Sequence, residues 1–141
     1  MDKATQQTWQ DIALLLLRLA VAALFLSAAW DKFFHWSQTM DFLKTTGMGI
    51  GLPAWFAALY AFVLPFVEAF IGLAFLTGWC STIASAVLFF TVASFWVVIS
   101  RDPTYVGILK DFHVYILLLA LTTFSFGFGK YALPCHCCKG K

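Results

Sequence analysis

The sequence predicts an all-α integral membrane protein, a four-helix bundle with a short interfacial helix in its first loop. Three observations predict it. Of 141 residues, 62% are hydrophobic and only 11% charged, whereas a soluble domain carries about 25% charged residues. Four apolar stretches, 12–30, 53–76, 80–100 and 112–128, each fall within the roughly 17–25 residues that cross a hydrocarbon core as a helix. The connections between them differ sharply, from the tight Thr77–Gly78–Trp79 to the long loop Asp31–Leu52. Lipid offers no partner for an unpaired backbone group, so each stretch must satisfy its own hydrogen bonds as a helix.

A polar segment, 1–11, precedes the first span, Ile12–Trp30. The apolar run is too long for a signal-peptide core, and Trp30–Asp31–Lys32 follows it in place of a small-residue cleavage site. The segment therefore reads as a retained span. In the loop Asp31–Leu52, the spacing of Trp36, Met40, Phe42 and Leu43 suits an amphipathic helix lying in the membrane interface. Gly47, Gly49, Gly51 and Pro53 break that helix and start the second span, Pro53–Leu76. Only Thr77–Gly78–Trp79 separates it from the third, Cys80–Ser100, so these two are antiparallel neighbours. Arg101–Asp111, with Pro103 and Gly107, caps the same face as the first loop. The fourth span, Phe112–Phe128, closes a domain over 12–133, and the tail 134–141 follows.

This topology puts both termini on one side. Basic residues near the span ends are almost balanced, and Arg18 with the amino terminus tips them toward cytoplasmic termini in a multi-pass protein. The net charge of +2 gives no footprint for nucleic acid. Sixteen Phe and six Trp point to aromatic belts, an aromatic-lined cavity, or both.

Charges inside the spans are the most informative residues. Each costs about 2.5–3.5 kcal/mol on insertion scales and needs a partner or a wet pocket. Counted from the span ends at about 1.5 Å per residue, Arg18 and Glu68 sit at matching depths of roughly 9–12 Å. The expectation is an Arg18–Glu68 ion pair facing the bundle interior. It either locks helix register or forms a ligand or proton site, and the sequence weighs these evenly. Pro65, three residues before Glu68, frees a carbonyl and favours a pocket. On the loop side stand Lys32, His35, Lys110 and His113. Interfacial anchoring is their simpler reading, and a shared proton path through His35 and His113 is the alternative.

Cys80, Cys135, His136, Cys137 and Cys138 fall on the terminal side. Thiolates with an imidazole suit zinc or Cu(I), and a redox thiol pair is a second reading. The spacing is not that of a zinc finger, and adjacent Cys137 and Cys138 are poorly placed to ligate one ion together. A plain tail, or one acylated beside the span, ranks ahead of a metal or redox site, because chain ends are usually mobile.

The order of several short motifs resembles the DoxX family of small four-helix bacterial membrane proteins. They are Leu16–Leu17–Arg18–Leu19–Ala20, Trp30–Asp31–Lys32–Phe33, Gly47–Met48–Gly49, Glu68–Ala69–Phe70–Ile71–Gly72–Leu73 with Leu76–Thr77–Gly78, Lys110–Asp111, and Phe126–Gly127–Phe128–Gly129–Lys130–Tyr131. Asp31 stands where that family usually has glycine and Asp111 where asparagine is usual. The resemblance implies a bacterial inner-membrane protein of redox character, with Arg18, Lys32, Glu68 and Lys110 as its polar positions. It implies a membrane subunit like the small subunit of thiosulfate:quinone oxidoreductase, with a quinone as cofactor and a redox subunit or a second copy as partner. Any activity would belong to such a quinone-linked complex. Two other readings are a non-catalytic assembly subunit, in which the charged pair is sealed with no cavity beside it, and a small transporter or metal-handling protein.

Overall fold

The computed structural model describes residues 3–101, 116, 119–121 and 123. Four helices follow one another: α1 Lys3–Phe34, α2 Trp36–Gly49, α3 Ala54–Thr77 and α4 Ser81–Arg101. Residues 116, 119–121 and 123 are also helical, and no strand occurs among the described residues. Two helices are long and apolar enough to cross a membrane, Thr5–Phe34 and Ala54–Thr77, and a shorter apolar run covers Thr82–Val97. The expected fourth span, 112–128, lies largely outside the described residues.

α1 differs from the expected first span. It begins at Lys3, inside the polar segment, and runs for 32 residues, about 48 Å at the α-helical rise. That exceeds a hydrocarbon core of about 30 Å. Residues Thr5–Gln10 are exposed and, with no proline or glycine among them, nothing ends the helix. α1 therefore overshoots the hairpin.

The buried residues of α1 include Asp11, Arg18, Val21, Ala22, Phe25 and Ala29. Steps of seven, two helical turns, put Asp11, Arg18, Phe25 and Lys32 on one stripe. α3 buries Ala57, Ala61, Leu64, Glu68, Ile71 and Phe75 at the same kind of spacing. These stripes face each other. With Ala84, Leu88 and Val92 of α4, and with Ala120, they form the core. Side-chain hydrogen bonds tie the helices: Tyr60 Oη to Ser94 Oγ at 2.8 Å, half-buried, and Ser85 Oγ to Thr123 Oγ1 at 2.8 Å, buried.

Large aromatic side chains point outward along α3, among them Trp55, Phe62 and Phe66. A surface this apolar belongs in lipid or against a partner. Trp9 and Trp79 are exposed at one end of the helices, and Trp30 and Trp55 at the other, as in aromatic belts. Trp36, which starts α2, stacks on Phe33 at 6.0 Å and meets Phe62 edge-on at 5.8 Å, fixing α2 back against α1 and α3.

Two glycines permit close approach. Gly78 ends α3 in the left-handed region at φ 74° and donates to the Ala74 carbonyl, the usual glycine stop. Gly72 lets α1 press onto α3: a Cβ there would lie 2.6 Å from Leu26 Cγ and 3.1 Å from its backbone nitrogen. Because backbone as well as side chain blocks the space, Gly72→Ala should destabilise the chain by about 1–3 kcal/mol. A thermal melt of the detergent-solubilised protein checks this, and an unchanged midpoint would contradict the contact.

Candidate functional site

The buried carboxylate pairs with lysine, not arginine. Lys32 Nζ lies 2.7 Å from Glu68 Oε2 and donates a hydrogen bond to Oε1 at 2.9 Å. The same ammonium is 3.5 Å from the Ala28 carbonyl oxygen, one turn back on α1. The side chain of Glu68 is 3% exposed and that of Lys32 is 19% exposed. Glu68 Oε2 accepts no well-aligned hydrogen bond among the described residues despite its short ionic contact.

Arg18 does something else. Its Nε donates to the Phe75 carbonyl at 3.1 Å and its Nη2 to the Leu76 carbonyl at 3.3 Å. These carbonyls belong to the last turn of α3 and have no partner within that helix. Arg18, only 2% exposed, caps them with a positive charge at the negative end of the helix dipole.

The expected Arg18–Glu68 pair is thus corrected, and the reason is register. Depth counted from the ends of apolar stretches assumes that both helices stop in one plane. The close approach of Gly72 to Leu26 sets the antiparallel register. Arg18, eight residues before Leu26, therefore falls just past the end of α3 and reaches back to its Phe75 and Leu76 carbonyls. Lys32, six residues after Leu26, falls within two residues of the level of Glu68, about 3 Å along the axis, and its stem spans that offset. The sequence held the signal: Lys32 is two turns beyond Phe25 and four beyond Arg18 on the same face.

Two spaces flank Lys32. An inner cavity of about 290 Å³ is bounded by Phe25, Leu64, Val92 and Phe95, with Lys32 and Glu68 as its charged groups. An outer, more polar space of about 600 Å³ is lined by Asp31, His35, Gln38 and Thr39, again with Lys32. Leu43 of α2 borders both. The pair therefore stands between an apolar chamber and a polar vestibule, with Lys32 common to the two. Gln38 and Thr39 of the vestibule were missed by sequence reasoning, because only an amphipathic period distinguished α2.

The other expected site residues separate. His35 is exposed, with Nδ1 3.1 Å from Asp31 Oδ1 and 3.2 Å from the Asp31 carbonyl. Lys110 and His113 lie outside the described residues, as do Cys135, His136, Cys137 and Cys138. Cys80 is buried at the hairpin with a left-handed φ of 49°. Among the described residues, no group of three His, Cys, Asp or Glu side chains is placed to hold a metal.

The sequence model of the family described as methylamine utilisation protein MauE matches residues 10–103, which hold α1 from Gln10 onward, all of α2, α3 and α4, and both charges of the ion pair. The chain belongs to the MauE family. MauE proteins are membrane proteins, in keeping with the two apolar helices. No curated protein and no solved structure matches the chain.

Membership in MauE overturns the resemblance to DoxX. The motifs that suggested it between Leu16 and Gly78 lie inside the stretch that MauE accounts for. They are mostly short apolar runs ending in small or charged residues, a pattern that lipid imposes on any small helical membrane protein. The thiosulfate:quinone oxidoreductase reading rested on that resemblance and goes with it. So does the quinone, and the ligand or proton site expected at an Arg18–Glu68 pair goes too, because the two charges do not meet.

Proposed function

We propose that this MauE chain is an accessory membrane subunit of a methylamine-utilisation system. It spans a bacterial inner membrane as a helical bundle with cytoplasmic termini, and its working centre is the Lys32–Glu68 pair. One observation carries this reading: a charged pair buried in a membrane helix stands at the edge of a cavity rather than in close-packed core. An assembly subunit without ligand chemistry would have little use for that chamber. Intramembrane charges that face a cavity commonly mark a ligand or ion path. The family's description supplies the process, and the aromatic outer face supplies the surface on which a membrane partner packs.

Complementation tests it. In cells that use methylamine and lack this chain, the wild type should restore growth on methylamine. Glu68→Gln and Lys32→Met, each keeping the side-chain volume, should fail when expressed so that each reaches the wild-type amount in the membrane. Growth on other substrates should be unaffected throughout. Full complementation by both variants would remove the pair from the function.

A further inference from the structure

We infer that Glu68 receives a small primary alkylammonium ion, whose head takes the position that Lys32 Nζ holds in the structure. The inference deepens the proposed function and rests on its choice of the Lys32–Glu68 pair as the working centre.

Lys32 is itself an alkylammonium chain seated in the site. Its head donates hydrogen bonds to Glu68 Oε1 at 2.9 Å and to the Ala28 carbonyl at 3.5 Å, with Glu68 Oε2 in ionic contact at 2.7 Å. An ammonium has three N–H donors and no acceptor. The arrangement therefore matches R–NH3+ and leaves a quaternary ammonium, which has no N–H, without its hydrogen bonds. The carboxylate repels anions. The chamber beyond it is walled by Phe25, Leu64, Val92 and Phe95, so a short alkyl body finds apolar contact while its head stays on Glu68.

Charge decides how the exchange runs. One carboxylate does not hold two cations in an apolar site, since an uncompensated buried charge costs several kcal/mol. Lys32 must leave as the ligand arrives. It lines the polar vestibule as well as the chamber, and Asp31 there is exposed, its side chain 73% open. Rotation about the lysine stem carries the ammonium to water and a second carboxylate, the outward reach that long basic side chains make near helix ends. The exchange conserves charge: one ammonium on Glu68 before and after. Lys32 is then a tethered competitor that keeps the site neutral when no ligand is bound.

The full chain in lipid nanodiscs provides the test, with methylammonium, butylammonium and tetramethylammonium chlorides as probes at constant ionic strength. Equilibrium dialysis with radiolabelled methylammonium should show saturable binding to wild type, lost in Glu68→Gln and not displaced by tetramethylammonium. A short tether presents its head at an effective concentration on the order of millimolar. Lys32→Ala should therefore bind methylammonium at least about tenfold more tightly, and primary ammonium ions should raise its melting temperature. Non-saturable binding to wild type, equal binding to Glu68→Gln, or competition by tetramethylammonium would overturn the inference. The wild-type measurements decide the matter even if Lys32→Ala fails to fold. Growth that depends on Glu68, with no ammonium binding, would remove this ligand and keep the proposed function. Binding without growth dependence would do the reverse.

Discussion

Lys32→Met, with Glu68 retained, should cost about 3–5 kcal/mol of stability, the penalty for stranding one member of a buried ion pair. The expectation comes from the depth of the carboxylate: its side chain is 3% exposed, so protein rather than water surrounds it when the lysine is gone. Glu68→Leu should cost less, since Lys32 is 19% exposed and lines the vestibule as well as the chamber, and its stem can carry the ammonium outward. The double variant Lys32→Met/Glu68→Leu should recover most of the loss, because apolar residues of similar volume commonly replace a buried pair without penalty. Denaturant unfolding in mixed micelles, run as a double-mutant cycle, measures the coupling directly. If the double variant loses the sum of the two singles, the pair is not coupled. A loss below about 1 kcal/mol for Glu68→Leu alone would show that Lys32 swings out to the vestibule when its partner goes.

Much of the local structure was legible in the sequence, and the reason is lipid. Backbone groups without water must pair within their own helix, so a long apolar run bounded by Pro53 and by Thr77–Gly78–Trp79 has little choice. α3 occupies Ala54–Thr77 where Pro53–Leu76 was expected. Glycine at 78 supplies the left-handed stop that the hairpin needs. That Arg18 and Glu68 are buried was legible too, because each is a lone charge within an apolar run. Their partners were not. Pairing across helices depends on the axial offset between them, and hydropathy is blind to offset when a helix continues into polar sequence, as α1 does at Thr5–Gln10. A heptad count from Phe25 to Lys32 carried the missing information, but the position of Lys32 near a span end made it look like an ordinary interfacial anchor. The family was misread for a related reason. Short apolar motifs report the solvent, and their order reports only the number of helices.

Arg18→Met should cost about 3 kcal/mol, the loss of two hydrogen bonds from a charged group to carbonyls at the end of α3. The Phe75 and Leu76 carbonyls close α3 and have no further residue of that helix to receive. Phe75 is fully buried, so water does not take the arginine's place there. Arg18→Lys should recover only part of the loss: an ammonium has no planar fork with which to address two adjacent carbonyls. These variants separate the two buried cations by role. Arg18 lies fourteen residues from Lys32, about 21 Å along α1, and touches neither the chamber nor Glu68. Arg18→Met should therefore lower the unfolding midpoint without changing the affinity for methylammonium, while Glu68→Gln should abolish binding. Parallel loss of stability and binding in Arg18→Met would mean that the capped end of α3 and the stretch around Glu68 move together, and the chamber would then depend on how its helix is capped about two turns away.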